Sequence, residues 1–276
     1  MPTAASNASV DRDEVARFAA LAESWWEPDG PLRALHRLNP TRIAFVRDRV
    51  RAHFAPATGP DDRPLARKDD RPLARKDDRP LARKNDRPLA GRDLIDVGCG
   101  GGLLAEPMAR LGARVVAIDA AAESVRVATA HAEAVGLAID YRQATAEALV
   151  AEGARFDVVL AMEIIEHVAD RDAFLAAAAG LVAPGGMLIA ATLNRTAKAF
   201  AQAIIGAEYL LGWLPPGTHD WHRFARPAEI ARSLRQGGLT VTEVAGVGYD
   251  PIDDRWSLTN DPAVNYMLAA TRPAEG

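Results

Sequence analysis

The stretch from Asp93 to Leu104 reads DLIDVGCGGGLL, and it decides the fold class. Its first residues form a short apolar run typical of a buried strand, and glycines follow at once. A glycine-rich turn between a strand and a helix lies at the carboxyl edge of a parallel sheet, where α/β proteins bind ligands. The stretch therefore predicts an α/β domain with a ligand site after its first strand.

Downstream of this turn, strand and helix patterns alternate. Further strands are predicted at 113–119, 138–144, 156–162, 186–193, 239–248 and 265–271, and helices at 103–111, 121–135, 172–181 and 227–235. Most of these strands are apolar throughout, as expected for strands that are covered on both sides. The alternation predicts a mostly parallel sheet with helices on both faces.

The glycine spacing and the end of the second strand indicate the type of ligand. Gly98, Gly100 and Gly102 form G-x-G-x-G, whereas a dinucleotide fingerprint requires glycine or alanine at the position of Leu103. The second strand ends at Asp119, where a carboxylate can accept hydrogen bonds from both hydroxyls of a ribose. These features favour a nucleoside-bearing cofactor other than a nicotinamide dinucleotide.

Charge and composition restrict the partners. The formal net charge is -4 and the sequence pI is about 5.9, so no overall basic field attracts a phosphate backbone. We therefore expect a small-molecule substrate and no nucleic-acid partner. The first residues lack the pattern of a signal peptide and Cys99 is the single cysteine, which favours a reducing, cytoplasmic location.

The chain is expected to have three parts. Residues 1–56 form an N-terminal helical cap, with helices predicted from Glu14 to Trp26 and from Pro40 to about Phe54. Residues 57–92 form a disordered linker in which DDRPLARK occurs three times, at 61–68, 69–76 and 77–84. Each octapeptide has too little apolar surface to offset its ordering entropy. Residues 93–276 form the core, with an irregular insertion at about 195–225.

Several longer strings carry a resemblance to a known family. They are DVGCGGGLLAE (96–106), MEIIEHV (162–168), PGG (184–186), TLNR (192–195), SWWEPDGPLRALHRLNPTR (24–42), GAEYLLGWLPPGTHDWHRF (206–224) and VNYMLA (264–269). Together they resemble class I S-adenosylmethionine (SAM)-dependent methyltransferases of the UbiG type, which make both O-methylations of ubiquinone biosynthesis. The resemblance covers nearly the whole chain except the octapeptide repeat. It implies a Rossmann-like, mostly parallel seven-stranded sheet.

The resemblance also implies a set of cofactor contacts. Gly98, within the glycine loop that includes Gly100, contacts the methionine part of SAM. Asp119 holds the ribose, Met162 packs near the adenine, and Arg42 reaches the cofactor from the cap. Core packing remains an alternative for Met162, and a solvated helix face remains an alternative for Arg42.

The string after the fourth strand supplies the candidate catalytic groups, which are Glu163, Glu166 and His167. The resemblance implies that all three bind a divalent ion such as Mg²⁺, which would polarise the acceptor oxygen. A metal-free site with His167 or Glu163 as general base is a second hypothesis. The third is that the carboxylates only stabilise a helix N-terminus.

The insertion carries apolar residues at helical spacing, including Phe200, Leu211 and Leu214, with Trp213 beside them. This pattern predicts either an interfacial helix or a lid over the site, and the resemblance favours contact with a membrane surface. The protein is then cytoplasmic and peripheral on the inner membrane. The nearby His219, Asp220 and His222 are expected to lie in a polar loop.

The expected function is O-methylation of 2-polyprenyl-6-hydroxyphenol and 3-demethylubiquinol with SAM as methyl donor. The expected partners are this polyprenylated phenol or quinol substrate, the membrane surface and a ubiquinone-biosynthesis complex. Two alternatives remain open at the level of sequence. One is an O-methyltransferase for another phenolic metabolite, and the other is a catalytically silent SAM-binding membrane scaffold.

Overall fold

The computed structural model describes residues 9–55, 87–201, 220–250 and 253–275. The octapeptide repeat therefore lies outside the described residues, and so does most of the insertion, from 202 to 219. The predicted linker and the predicted interfacial helix both fall largely within these two gaps.

A single mixed sheet forms the centre of the described chain. Its strands are β1 (Asp93–Val97), β2 (Arg114–Asp119), β3 (Asp140–Gln143), β4 (Phe156–Met162), β5 (Val182–Leu193), β6 (Thr240–Asp250), β7 (Arg255–Thr259) and β8 (Asn265–Thr271). Their order is β3-β2-β1-β4-β5-β8-β6-β7. Pairing is parallel from β3 to β5, and it is antiparallel for β5 with β8, β8 with β6 and β6 with β7.

The predicted α/β fold with a mostly parallel sheet is confirmed, but the described sheet has eight strands rather than the seven that the resemblance implies. The additional strand is β7, which pairs with β6 at the edge of the sheet. It is short and only partly buried, so its sequence lacks the apolar run that marks the central strands.

The described helices are α1 (Arg12–Ala20), α2 (Arg33–His53), α3 (Ala105–Arg110), α4 (Ala122–Ala134), α5 (Ala146–Ala151), α6 (Arg171–Gly180), α7 (Ala197–Ala199) and α8 (Pro227–Gln236). Helix α5 was not predicted from the sequence. Among the described helices, none has the length and apolar character that a bilayer crossing requires.

The two N-terminal helices differ from their prediction. The first helix stops at Ala20 and a separate 3-10 turn covers Ala22–Ser24, where one longer helix was expected. The second begins at Arg33, so Pro40 lies inside α2 and not in its first turn. Proline lacks a backbone N–H and removes one helical hydrogen bond, but the buried apolar face of α2 compensates.

Side chains that alternate along the central strands build two cores, one on each face of the sheet. Ile95 and Val159 belong to the core that includes α6 and α8, whereas Leu94 and Val158 belong to the core that includes α2 and α3. This alternation follows from the two-residue period of a strand. Both faces are therefore covered, as the apolar strand sequences predicted.

From β1 the chain continues to β2 and β3 on one side of the sheet, and it then returns to place β4 and β5 on the other side of β1. The strand order therefore has a switch point between β1 and β4. A crevice opens outside the carboxyl ends of strands at such a switch point. The glycine turn follows β1 and the Glu163 to His167 segment follows β4, so the topology places both at this crevice.

Candidate active site

A cavity of about 1050 Å³ opens at the switch point. Its wall is formed by the cap helices, by the loops after β1, β2 and β4, and by the hairpin of β6 and β7. The predicted cofactor-binding, catalytic and metal-ligating residues all line it, namely Arg42, Gly98, Gly100, Asp119, Met162, Glu163, Glu166 and His167. One cavity thus contains both the candidate cofactor loop and the candidate catalytic groups.

The glycine loop cannot carry side chains at its critical positions. Gly98, Gly100 and Gly102 have φ values of 75°, 52° and 87°, in the left-handed region that favours glycine. A Cβ atom on Gly98 would lie 2.2 Å from Cδ1 of Ile164. The loop is held by the Gly98 N–H, which donates to the carbonyl of Ile118 at 2.8 Å. The loop backbone therefore lies against β2 through this hydrogen bond and against Ile164, just after β4, through the close contact at Gly98.

Asp119 joins this loop to the end of β2. One carboxylate oxygen accepts the Gly100 N–H at 2.9 Å, and the other accepts the Ala121 N–H at 2.8 Å. Burial raises the pKa of Asp119, and these backbone donors oppose that rise. Since each oxygen has a second lone pair, the carboxylate can also accept hydrogen bonds from two neighbouring hydroxyls of a ligand.

Arg42, on α2, is a buried cation that lines the cavity. Burial lowers its pKa, and the negative charges of Glu163 and Asp96 oppose this shift. One Arg42 NH2 group donates to the side-chain oxygen of Asn39 at 2.9 Å. The solvated helix face considered for Arg42 is wrong, because the side chain is buried against the core domain.

Two carboxyl groups beside Arg42 hold protons more tightly than usual. Burial raises the pKa of Asp96 to about 7. Burial also raises the pKa of Glu163 to about 8, and the neighbouring Glu166 adds to this rise. Glu163 further has a φ of 56°, which is uncommon for a residue other than glycine and marks local backbone strain. Near neutral pH, the carboxyl groups of Asp96 and Glu163 can therefore be either protonated or ionised.

Of the three candidate metal ligands, Glu163 and Glu166 share a side-chain hydrogen bond, whereas His167 has its partner in the cap. Glu166 is buried and accepts the hydroxyl of Thr192 at 2.6 Å. His167 Nδ1 lies 2.8 Å from Glu14 Oε2. Within residues 9–55, 87–201, 220–250 and 253–275, no group of three or more His, Cys, Asp or Glu side chains could hold a metal ion. The predicted set of Glu163, Glu166 and His167 is not assembled as a metal centre.

Glu14 is a site residue that the sequence analysis did not find. Burial alone would raise its pKa, but the hydrogen bond with His167 and the charges of His167, Arg17 and Arg223 hold the pKa below its ordinary value. Glu14 is therefore a carboxylate at neutral pH. Its only sequence signal was a position on the polar face of a helix, which does not identify a partner in the core.

Trp25 was also missed, and it connects the cap to the glycine loop. Its indole lies so close to the loop that Cβ atoms on Gly100 or Gly101 would meet it at 2.3 Å. The next residue, Trp26, donates its indole N–H to the Gly101 carbonyl at 3.0 Å. The absence of side chains on the loop thus lets the cap pack directly on the backbone.

Met162, Cys99 and Asp220 were also considered as possible functional residues from the sequence. Met162 is buried in the core and also lines the cavity, so core packing and a place near a ligand are compatible. Burial raises the pKa of the Cys99 thiol, which keeps it protonated and unsuited to be a nucleophile. Asp220 accepts the backbone N–H of His222 in a short turn, and His219 lies outside the described residues.

Comparisons with known proteins agree with this geometry. A family model described as "Methyltransferase domain" matches residues 95–190, which include the glycine loop and the Glu163 to His167 segment. Among solved structures, magnesium protoporphyrin IX methyltransferase from Synechocystis PCC 6803 with bound SAM has a TM-score of 0.56 and 17% identity, covering 97% of this chain and 100% of the other. A SAM-dependent methyltransferase from Aquifex aeolicus has a TM-score of 0.52 and 16% identity, covering 93% and 97%. These two similarities show the fold.

Curated relatives are much more similar. A protein of Methylobacterium sp. (strain 4-46) named "Ubiquinone biosynthesis O-methyltransferase" is 49% identical over 273 residues, which is 99% of each chain. A protein of the same name from Methylobacterium nodulans is 52% identical over 266 residues, or 96% of each chain. With about half of its residues identical over nearly the full length, the chain belongs to the ubiquinone biosynthesis O-methyltransferase family.

Proposed function

We propose that this protein transfers the methyl group of SAM to a phenolic hydroxyl in ubiquinone biosynthesis. The observation that carries this proposal is the single cavity at the switch point, where the glycine loop and Asp119 face the same space as the His167 imidazole. A methyl donor and a proton acceptor can therefore meet there. The proposed substrates are 2-polyprenyl-6-hydroxyphenol and 3-demethylubiquinol.

The residues of the cavity fit the methyl donor. Gly98 and Gly100 line the cavity, and Asp119 can accept the two ribose hydroxyls. Among the described residues, Nε of Arg42 and Oε1 of Glu163 are buried without a hydrogen-bond partner. A buried cation and a buried carboxyl are complementary to the two ends of an α-amino acid, such as the methionine part of SAM. Met162 would pack against the adenine.

The acceptor oxygen presents the chemical difficulty. A phenol with a pKa of about 10 is ionised only about one part in a thousand at pH 7, a deficit of about 4 kcal/mol. When bound, SAM supplies an electrophilic methyl group on sulfonium, and its transfer to a phenolate leaves a neutral thioether. The protein must therefore remove the phenolic proton and align the oxygen with that methyl group.

His167 is the residue best placed to remove this proton. Its ring lines the cavity, and its Nδ1 is occupied by Glu14, so Nε2 is the nitrogen that can accept a proton from a phenol. The Phe18 ring meets His167 edge-on at 5.0 Å, and Phe18 also stacks with Trp25. These aromatic rings form an apolar wall that shields the reacting groups from water.

The proposed mechanism has no step through a divalent ion, because no group of three such ligands is assembled among the described residues. The test is methyl transfer from labelled SAM to a short-tailed catechol, measured with added Mg²⁺ and after exhaustive chelation. We expect O-methylated product at comparable rates in both conditions. Absence of product in both conditions would refute the proposed function, and activity found only with Mg²⁺ would refute the metal-free mechanism.

We further propose that the insertion contacts the membrane surface in which a polyprenylated substrate dissolves, within a ubiquinone-biosynthesis complex on the cytoplasmic side of the inner membrane. The sequence pattern of the insertion and the exposed side chain of Phe200, at its start, support this proposal. A long prenyl tail dissolves in the bilayer, so the phenol that carries it stays at the membrane surface. The phenol can reach the cavity only if the protein binds to that surface.

Flotation with liposomes tests the membrane proposal. We expect the intact chain to float, and a variant with Phe200, Leu211 and Trp213 changed to serine to remain at the bottom of the gradient. The matched control changes Val135, Val244 and Leu258 to serine, because these side chains are also exposed hydrophobics. The proposal fails if the intact chain does not float or if both variants float equally.

A further inference from the structure

The indole of Trp25 carries a buried hydrogen-bond donor that has no partner among the described residues. Trp25 follows the 3-10 turn Ala22–Ser24 of the cap, and only 7% of its surface is exposed. An indole N–H can only donate, and a buried donor that is left unpaired costs free energy. A ligand that brings an acceptor atom to Nε1 would remove this cost.

The position of the ring places this donor at the glycine loop. Trp25 lines the cavity together with Gly98 and Gly100. A Cβ atom on Gly100 would lie 2.3 Å from Cζ2 of the ring and 2.9 Å from Cε2, the ring atom to which Nε1 is bonded. Nε1 therefore lies beside Gly100, where the loop borders the cavity.

The place of the Trp25 ring is fixed through the next residue, Trp26. The Trp26 indole N–H donates to the Gly101 carbonyl at 3.0 Å, and its ring stacks on the His131 ring with 3.5 Å between the centroids. Nδ1 of His131 pairs in turn with Oε1 of Glu106, a fully buried residue of α3. The core domain thus holds the tryptophan pair on the loop.

Arg42 provides a second unpartnered donor to the same cavity. Its Nε, like Nε1 of Trp25, is buried without a hydrogen-bond partner among the described residues. Asn39 connects this part of α2 to the loop region, because its amide donates to the Leu103 carbonyl at 2.7 Å and its oxygen accepts from Arg42 at 2.9 Å. Leu103 packs against Trp25. Two donors from the cap, one of them a cation, favour an anionic acceptor.

We propose that Trp25 is a cofactor-binding residue: its indole N–H donates to the carboxylate of the methionine part of SAM, which also faces the Arg42 guanidinium. The inference rests on the proposed function, in which the glycine loop carries this part of the cofactor. A carboxylate has two oxygens with several lone pairs, so it can accept from an indole and a guanidinium together. The cap is then part of the cofactor site as well as its cover.

The test is calorimetric titration of Trp25→Phe with two ligands. Phenylalanine removes the N–H and keeps an aromatic ring on the loop. S-Adenosylhomocysteine carries the carboxylate, whereas methylthioadenosine has the adenosine and the sulfur but lacks the amino-acid part. We expect the Kd for S-adenosylhomocysteine to rise about 10-fold, the lower end of what a hydrogen bond to a charged group contributes. The Kd for methylthioadenosine should stay within about twofold of the wild-type value.

Two further variants separate the N–H from the packing of the ring. The matched control is Trp221→Phe, because the Trp221 indole also donates to a backbone carbonyl, at 3.0 Å, but does not line the cavity. Its Kd values should equal those of the wild type. Replacing Trp25 by benzothienylalanine puts sulfur in place of the N–H and keeps the shape of the ring. This variant should show the same rise in Kd for S-adenosylhomocysteine as Trp25→Phe.

The inference is overturned if either Trp25 variant binds S-adenosylhomocysteine with the wild-type Kd, or if the Kd values for both ligands rise in parallel. A parallel rise would mean that Trp25 supports the loop or the adenosine and not the carboxylate. A wild-type chain that binds neither ligand would instead refute the proposed function, so the two failures can be told apart.

Discussion

Replacing His167 by glutamine is expected to lower kcat by about 100- to 10,000-fold, the range that a positioned general base contributes. Glutamine keeps a polar side chain of similar reach, but it cannot accept the phenolic proton at neutral pH. Most of the phenol then remains protonated, because its pKa of about 10 lies three units above pH 7. The measurement is steady-state methyl transfer to a short-tailed catechol.

The control for this substitution is His222→Gln, because His222 is exposed and does not line the cavity. Its kcat should match that of the wild type. Raising the pH should also restore part of the activity of His167→Gln, since hydroxide ionises the phenol without a base on the protein. A His167→Gln variant with wild-type kcat at pH 7 would remove His167 from the mechanism.

Replacing Asp119 by asparagine is expected to raise the Kd for SAM by about 10- to 100-fold. Hydrogen bonds to a charged group contribute about 1.5–3 kcal/mol, and about 1.4 kcal/mol corresponds to a factor of ten. Both oxygens of Asp119 accept backbone N–H groups, so an amide nitrogen would oppose the N–H of Gly100 or Ala121. The substitution therefore disturbs the loop and removes an acceptor for the ribose.

Calorimetric titration with SAM measures this effect, and Asp140→Asn is the matched control. Asp140 is exposed at the start of β3, pairs with Arg142 and does not line the cavity. We expect its Kd to be unchanged. An unchanged Kd in Asp119→Asn would contradict the assignment of the β2 carboxylate to the ribose.

The central part of the fold could be predicted because its signals are local. The turn after β1 combines an apolar strand, glycines with positive φ and the start of a helix within a dozen residues. Asp119 follows at the end of the next strand. The edge of the sheet could not be predicted in the same way, because Arg255–Thr259 is short, is not strongly apolar and becomes a strand only by pairing with β6.

The N-terminal region shows how tertiary packing overrides a local rule. Pro40 suggested the first turn of a helix, yet α2 begins at Arg33 and continues through the proline. Residues such as Phe45 and Val46 are almost completely buried on its inner face. That burial outweighs one lost backbone hydrogen bond.

The residues on the core side of the candidate site were predicted from the sequence, but on the cap side only Arg42 was, and Glu14 and Trp25 were missed. Glu163, Glu166 and His167 were found because they follow a strand in one short string. The family resemblance implied that they share an ion, but no metal-binding group of three such side chains is assembled among the described residues. Glu14 is 153 residues away from His167 in the chain, so no local pattern could indicate that the two form a pair.

The proposed function requires a cavity that binds the methyl donor or its demethylated product through the loop after β1 and the carboxylate at the end of β2. Calorimetric titration of the full chain with S-adenosylhomocysteine tests this without turnover. We predict saturable binding at one site per chain. A titration without any binding heat, at protein concentrations where the folded chain is monodisperse and at two temperatures, would contradict the account.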